Sequence, residues 1–429
     1  MQRKIASFLL KTSNEAKSVY IWNSVSTILN SFQTMILLFA LTHTGTDTDS
    51  GIFVMAYAVG NLVLHIGKYG MRQFQVTDIQ EKHLWQEYKT SRIFSCCMLM
   101  MASLAYTGYG LYWNGYSSDK AMIILLICFY KGIEAAEDVF HGRMQQKGRL
   151  DVAAKILTVR FSIFIFGYAG IFILTKNLLV TTVVNVSVTF ILCILLNSAV
   201  WPAFAEKRQT KCSFPWKLMA ECLPLCLSMV LSMYIGNAPK YIIDGAVDDL
   251  VMTRFNVVFM PAFVVSMLSN FIFNPSIKKI GELWTGGNVD GLKRMIIRLT
   301  MIPVALTIVI VIGGAWLGVP VLGWIYATDL SEYRLILMIF LLASGMIAVI
   351  NLYIILLTAM RRQGHILGVY AIGTVVLAFG GRWMLKTSGL TALCWLYLAV
   401  LVAIAAACVV MSFVVLHGRP DMKTLNPQE

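Results

Sequence analysis

Polar and basic side chains recur on one face of an apolar segment near residue 60. Asn61, His65, Lys68 and Arg72 follow an i, i+4, i+7, i+11 spacing, and Tyr57 continues the same face. On an α-helix this spacing forms one narrow stripe. Such side chains suit anionic groups, above all phosphates, because the planar guanidinium of Arg binds two oxygens at once. The alternative for Lys68 and Arg72 is that they extend to the membrane interface, which explains the deeper His65 and Asn61 less well.

A second polar stripe lies between residues 130 and 141. Its members occupy about a third of the helix circumference and are Tyr130, Lys131, Glu134, Glu137, Asp138 and His141. Two interpretations stay open. In the first, the stripe only holds helices together: Glu134 pairs with Lys131 of the same helix or with Arg160 of the next segment. Alternatively, the stripe lines a hydrated cavity, because charges at membrane depth face a protein interior or water.

Two further sets of polar residues recur at helical spacing. The first set is Asn23, Thr27, Asn30 and Thr34, and the second is Asn237, Lys240, Tyr241 and Asp244, followed by Arg254. Uncharged groups of this kind also bond neighbouring membrane helices. We interpret the first set as a hydrated wall beside the residue-60 stripe and the second as the outer mouth of the same cavity. The alternative for the second is an exposed loop in which Lys240 pairs with Asp244 or Asp248.

The composition shows which elements must position these residues. Of 429 residues, 58% are hydrophobic and 13% are charged, and the mean hydropathy is +0.72. A soluble domain carries about 25% charged residues, so a soluble enzyme is excluded and lipid must be the solvent. The net charge of +13 does not indicate nucleic-acid binding, because the basic residues form short clusters between apolar runs. The nine cysteines show no paired metal spacing, so we predict no metal and no cofactor.

Twelve apolar segments reach the length of about 20 residues that a membrane helix needs. They run from 18 to 43, 51 to 70, 92 to 113, 120 to 141, 152 to 175, 178 to 200, 216 to 243, 250 to 274, 296 to 318, 333 to 360, 366 to 385 and 390 to 416. The chain is therefore predicted to be an all-α polytopic membrane protein.

Charge placement predicts the orientation and the division of the chain. The two termini and alternate connections carry 26 of the 35 Lys and Arg residues, which makes these parts cytoplasmic. The connection 202–216 is basic and contains Pro202 and Pro215. We interpret it as a linker between an N-terminal lobe of six helices, 1–201, and a C-terminal lobe of six, 217–429.

Several motifs give the chain a resemblance to a known family over its whole length. They are Tyr-Ile-Trp-Asn-Ser-Val-Ser-Thr-Ile-Leu-Asn from Tyr20, Gly-Lys-Tyr-Gly-Met-Arg from Gly67, Asn-Ala-Pro-Lys-Tyr-Ile-Ile-Asp from Asn237, Phe-Met-Pro-Ala from Phe259 and Asn-Pro-Ser-Ile from Asn274. In these features the chain resembles the polysaccharide-unit flippases of the multidrug/oligosaccharidyl-lipid/polysaccharide (MOP) exporter superfamily.

The resemblance implies two six-helix bundles around a central cavity that opens alternately to each side of a bacterial inner membrane. The implied cargo is an undecaprenyl-diphosphate-linked oligosaccharide for cell-surface polysaccharide, and the implied partners are membrane lipids and a polymerase or glycosyltransferases. We expect the substrate to contact Asn23, Asn30, Tyr57, Asn61, His65, Lys68, Arg72, Lys131, Arg160, Lys240, Tyr241 and Arg254. The chain has no phosphate-binding Gly-x-x-x-x-Gly-Lys-Ser/Thr loop, so either the membrane voltage acts on the anionic cargo or an ion is coupled through Glu134, Glu137, Asp138 and Asp244.

Two rival functions remain. The first is an ion-coupled multidrug exporter of the same superfamily, in which acidic groups select cationic drugs; the basic stripe argues against it. The second is an integral-membrane glycosyltransferase or polymerase. Such an enzyme usually needs a sizeable external loop with catalytic carboxylates, whereas the external connections here are short. The outer cluster of Asp244, Asp248 and Asp249 is the only place where they could lie.

Overall fold

The chain folds into helices joined by short connections. The computed structural model describes residues 2–77, 83–205, 214–263, 265–266, 268–269, 273, 276, 280, 283–284, 286–360 and 364–417, and no strand occurs among them. The predicted linker residues 206–213, most of the Asn274 motif and the basic residues at 278–279, 361–362, 419 and 423 lie outside these ranges. The all-α membrane fold predicted from composition is confirmed.

The first eight helices precede residue 201. They are α1 Gln2–Leu10, α2 Glu15–Thr44, α3 Asp47–Lys68, α4 Met71–Thr77, α5 Trp85–Trp113, α6 Ser118–Gln146, α7 Leu150–Thr175 and α8 Leu178–Val200. The short helices α1 and α4 were not predicted, because neither is long enough to span a membrane. Leu9 nevertheless buries α1 against Met144, Ile156 and Val200.

The remaining helices follow the linker. They are α9 Trp216–Ile243, α10 Asp249–Phe259, α11 Val289–Gly313, α12 Val319–Tyr326, α13 Arg334–Ala359, α14 Gly364–Val375 and α15 Gly381–His417. Among the described residues, nine stretches are long and apolar enough to cross a membrane. Helix α6 has 29 residues and is not one of the nine, since it carries the charged stripe found in the sequence.

Side chains at the helix starts explain why these helices begin where they do. Asn14, Ser117 and Asn177 each accept a hydrogen bond from a backbone N–H in the first turn of the following helix. Thr46 and Asp49 bond each other's backbone in a capping box before α3. These bonds satisfy N–H groups that have no partner within the helix.

The chain divides into two compact units. Unit 1 comprises residues 1–233 and 244–253, and unit 2 comprises residues 234–243 and 254–429. The predicted lobes 1–201 and 217–429 stay a prediction from the sequence.

Helix α3 forms the core of unit 1. All its residues from Ser50 to Gly60 are buried, and α3 packs chiefly against α6 and α5. Gly60 allows this close packing against α6, because a Cβ there would lie 3.1 Å from Ile127 Cγ2 and 3.2 Å from Lys131 Cγ. The polar stripe that continues from this core is therefore held against α6.

An aromatic cluster forms the core of unit 2. Phe259 of α10 lies 4.7 Å from Phe340 of α13 and 6.3 Å from Tyr397 of α15, measured between ring centroids. Tyr397 also donates a hydrogen bond to the carbonyl of Gly236. Helix α13 packs against both α15 and α11.

Candidate functional site

The stripes of α3 and α6 meet in unit 1 and form ion pairs. Glu134 accepts from Lys68 of α3 at 2.8 Å through Oε1 and lies 3.3 Å from Lys131 Nζ through Oε2. The Lys68 side chain is 29% exposed, whereas those of Glu134 and Lys131 are buried. One carboxylate therefore holds two cations, and the predicted intrahelical pair of Lys131 and Glu134 is present.

Asp138, one turn further along α6, also binds two cations. Its Oδ1 lies 3.3 Å from Arg72 Nη1 and its Oδ2 lies 2.9 Å from Arg92 Nη2. Arg92 of α5 also donates to the Gly67 carbonyl, and Arg72 donates to Gln145. Arg92 is not among the binding residues predicted from the sequence, because a single basic residue that does not recur at helical spacing gives no indication of the face on which it lies.

Arg160 of α7 pairs with Glu137 and not with Glu134. Arg160 Nε lies 2.8 Å from Glu137 Oε2, and the two side chains are 0% and 1% exposed. Asn197 donates to the other carboxylate oxygen of Glu137. Among the described residues Nη1 and Nη2 of Arg160 have no hydrogen-bond partner, although the guanidinium lies 4.6 Å from the ring centroid of Phe161.

A neutral hydrogen-bond network adjoins these pairs. Gln33 of α2 donates to the hydroxyls of Tyr57 and Tyr130, at 3.0 and 2.9 Å. Lys131 Nζ lies 5.3 Å from both ring centroids, a distance at which a cation and an aromatic ring attract. Gln33 is not among the residues predicted from the sequence, because its partners are 24 and 97 residues away.

The other predicted residues of α2 and α3 lie outside these ion pairs and this hydrogen-bond network. Asn23 and Asn30 are exposed, whereas Gln33 is buried. The Asn23 set therefore lies apart from the buried network of unit 1, because the inward face of α2 is set by Ser26 and Gln33 instead. Asn61 and His65 are half-buried, and His65 Nδ1 has no hydrogen-bond partner among the described residues.

Asp244 belongs to a tight polar cluster at one end of unit 1. Tyr106 and Tyr116 donate to its Oδ2, Asn114 also donates to it, and Lys120 bonds the nearby Asp249 at 2.9 Å. Burial first, and then the Asp244 carboxylate, raise the pKa of Tyr116, so its hydroxyl stays protonated as a donor. This cluster joins the α9–α10 connection to the α5–α6 connection.

The predicted residues of unit 2 do not form an ion-pair network. Lys240 is buried, and its Nζ lies 4.6 Å from the ring centroid of Phe259. Tyr241 stacks on Tyr234, with ring centroids 5.5 Å apart. Arg254 is half-buried, and its Nε has no hydrogen-bond partner among the described residues.

Carboxylates are scarce along unit 2. Between residues 254 and 417 the sequence has four, namely Glu282, Asp290, Asp329 and Glu332. The three that are described lie in the first turn of α11 or in the connection before α13. Asp290, at the start of α11, is therefore the one carboxylate on the described membrane helices of unit 2, and no ion pair of Lys240 occurs among the described residues. The described residues also contain no group of three or more His, Cys, Asp or Glu side chains placed to hold a metal ion.

Comparisons with known proteins identify the fold. No protein-family profile and no curated protein matches the sequence. Three solved structures align over nearly the whole chain. An inward-facing multidrug resistance MATE family transporter of the MOP superfamily is 13% identical, with 93% of this chain and 98% of that chain covered at a TM-score of 0.60. A variant of the MATE transporter VcmN from Vibrio cholerae is 9% identical, with 97% and 99% covered at 0.62.

The third structure is a MOP superfamily transporter from Pyrococcus furiosus. It is 13% identical and aligns over 96% of this chain and 98% of that chain at a TM-score of 0.57, and it is described as having a binding pocket of reverse polarity that suggests a different function. The chain thus has the fold of the MATE transporters of the MOP superfamily.

Proposed function

We propose that the chain is a membrane transporter that exports an anionic amphiphile by alternating access. The observation that carries this proposal is the basic excess of the ion-pair network that the α6 carboxylates form in unit 1. Five cations surround three carboxylates, namely Lys68, Arg72, Arg92, Lys131 and Arg160 around Glu134, Glu137 and Asp138. A local network of net positive charge at membrane depth favours an anion and opposes a cation.

The finer proposal is that the cargo is an undecaprenyl-diphosphate-linked oligosaccharide, moved from the cytoplasmic to the outer leaflet of a bacterial inner membrane. Lys68 and Arg72 are 29% and 27% exposed, although each is paired. They can therefore exchange or share their carboxylates with a phosphate, which is the anion that Arg binds best. The exposed amides of Asn23 and Asn30 suit sugar hydroxyls.

Lys240 supports an anionic cargo independently. A buried ammonium without a carboxylate is costly, and a bound phosphate would supply the missing negative charge.

The driving force under this proposal is the membrane voltage. An anion that leaves a negatively charged interior gains about 2.3 kcal/mol per charge per 100 mV. Ion coupling through Glu134, Glu137 or Asp138 is the alternative, and each of these carboxylates contacts a basic side chain. A proton or metal ion would have to displace that cation.

A multidrug exporter is the second candidate. It is favoured by the solved neighbours described as multidrug resistance transporters and by the three buried carboxylates on α6. In such an exporter Glu134, Glu137 and Asp138 would serve a cationic drug or a coupling ion.

A flux assay in proteoliposomes distinguishes the candidates. We expect a fluorescent polyprenyl-diphosphate sugar to be moved, faster under an outward-driving voltage, and a cationic dye not to be moved. Arg72→Gln and Lys68→Gln should each slow this flux about tenfold, a cost typical of one charged contact. Lys217→Gln is the control, because Lys217 is exposed at the start of α9. Transport of the dye alone would favour the multidrug exporter, and flux unchanged in both variants would reject the basic site.

A further inference from the structure

A groove runs between α5 and α6 on the surface of unit 1. Its volume is about 470 Å³. Six of its lining residues come from α5 and three from α6, namely Lys89, Arg92, Ile93, Cys96, Cys97 and Met100, with Ala136, Val139 and Phe140. None of them belongs to the predicted binding residues.

The groove follows the helix axis. Its α5 residues recur every three or four positions from Lys89 to Met100, so they form one stripe about 16 Å long at a rise of about 1.5 Å per residue. Ile93 is 59% exposed, and Ala136 is the smallest residue on the α6 side. The groove is therefore open at its α5 edge, and its length suits a hydrocarbon chain.

The charge of the groove lies at one end. Lys89, in the second turn of α5, is exposed, and no ion pair of Lys89 occurs among the described residues. Arg92 is buried and already bonded to Asp138 and to the Gly67 carbonyl. From Ile93 to Met100 the groove walls carry only apolar and thiol side chains. A ligand that matches this pattern has one anionic head and an apolar tail.

We propose that this groove binds an anionic phospholipid of the surrounding membrane. The phosphate lies at Lys89, and one acyl chain lies along Ile93, Cys97 and Met100 against Ala136. A single available cation matches a phosphate monoanion better than a diphosphate. The site is therefore separate from the proposed cargo site and does not depend on it.

The groove also connects a lipid to the buried charges. Arg92 lines the groove and, on its other side, shares Asp138 with Arg72. A phosphate bound at Lys89 lies three residues, less than one helical turn, from Arg92. Under this proposal, the anionic lipid content of the membrane changes the electrostatic environment of Arg92, one of the two cations that bind Asp138.

Photo-crosslinking tests the proposal directly. The purified full chain is placed in nanodiscs with a phosphatidylglycerol that carries a photoreactive group on one acyl chain, and the labelled peptide is identified by mass spectrometry. We expect labelling within residues 89–100 or 136–140. Lys89→Gln should reduce it about fivefold, the effect of one basic residue near a membrane surface, whereas Lys217→Gln should leave it unchanged.

Two further measurements keep the test decisive. Ala136→Leu narrows the groove without changing charge and should also reduce labelling, and alkylation of exposed Cys97 should be slower in phosphatidylglycerol than in phosphatidylcholine. Equal labelling by a photoreactive phosphatidylcholine, or no effect of Lys89→Gln, would overturn the proposal. Displacement of the label by a polyprenyl diphosphate would also overturn it, because the groove would then belong to the cargo site. Loss of labelling when the chain dimerises would overturn it too, because the groove would then be covered by a second copy.

Discussion

At the scale of single residues, the ion pairs of unit 1 differ in the number of partners that each carboxylate has and in how deeply these partners are buried. Glu134 and Asp138 each hold two cations, of which one is partly exposed. Arg160 and Glu137 are both fully buried and have only each other as ionic partners among the described residues. Breaking such a pair is far more damaging than breaking an exposed one, because the remaining charge stays buried.

Glu137→Gln should therefore lower the free energy of unfolding by about 3 to 5 kcal/mol, read as a lower unfolding temperature in detergent. The control is Glu15→Gln, whose carboxylate is 65% exposed and lies 3.8 Å from Arg149; it should change stability by less than about 0.5 kcal/mol. The double variant Glu137→Leu with Arg160→Met should recover much of the loss, since a buried pair and an apolar pair have similar stability. Equal stability of Glu137→Gln and the unmodified chain would mean that Arg160 has another anion.

At the scale of the helices, breaks and connections decide where each segment ends. The predicted ninth segment continues through a π-helical turn, Gly314–Gly318, into α12. Another π-helical turn, Val376–Gly380, lies within the predicted eleventh segment and joins α14 to α15, and the predicted eleventh and twelfth segments meet within α15 at Gly389. Such turns insert an extra residue into the helical hydrogen-bond pattern, which hydropathy does not reveal.

Gly389 is predicted to resist substitution. Its φ of 81° and ψ of −172° lie in a region that essentially only glycine adopts, although no atom would clash with a Cβ there. Gly389→Ala should therefore destabilise the chain by about 1 to 3 kcal/mol through the backbone alone. Gly368→Ala in α14, which also has open space, should be neutral or slightly stabilising. Thermal unfolding of the two variants side by side makes the comparison, and equal unfolding temperatures would contradict it.

At the scale of the whole molecule, the distribution of charge predicts how the chain sits in the membrane. The 26 basic residues of the termini and alternate connections predict that both ends are cytoplasmic. The predicted outer side then includes the Asp244 cluster, and the Lys89 end of the lipid groove lies on the cytoplasmic side.

Reporter fusions test this orientation. A green fluorescent protein fused after residue 429 should fluoresce, because it folds in the cytoplasm, and an alkaline phosphatase inserted after Gly115 should be active outside. The same phosphatase inserted after Gly148 should be inactive and serves as the matched control. The opposite pattern would invert the orientation and place Lys89 at the outer surface.

The class of the protein and the faces of its helices were predictable from the sequence. A membrane-spanning helix needs a long apolar segment, so the composition of the chain shows its class. The stripes that contain Lys68 and Glu134 follow from the period of a helix, which is a local property. The sequence also indicated that Lys131 and Glu134 lie one turn apart, so their pair needed no tertiary information.

Only the tertiary structure decided which charges meet. Lys68 and Glu134 are 66 residues apart, and their contact depends on the depth and rotation of α3 against α6. The same packing selects Glu137 for Arg160, brings Arg92 to Asp138 and turns Gln33 inward while Asn23 faces outward. Helical phase gives the direction of a side chain around its own axis, but it does not give the neighbour that lies in that direction.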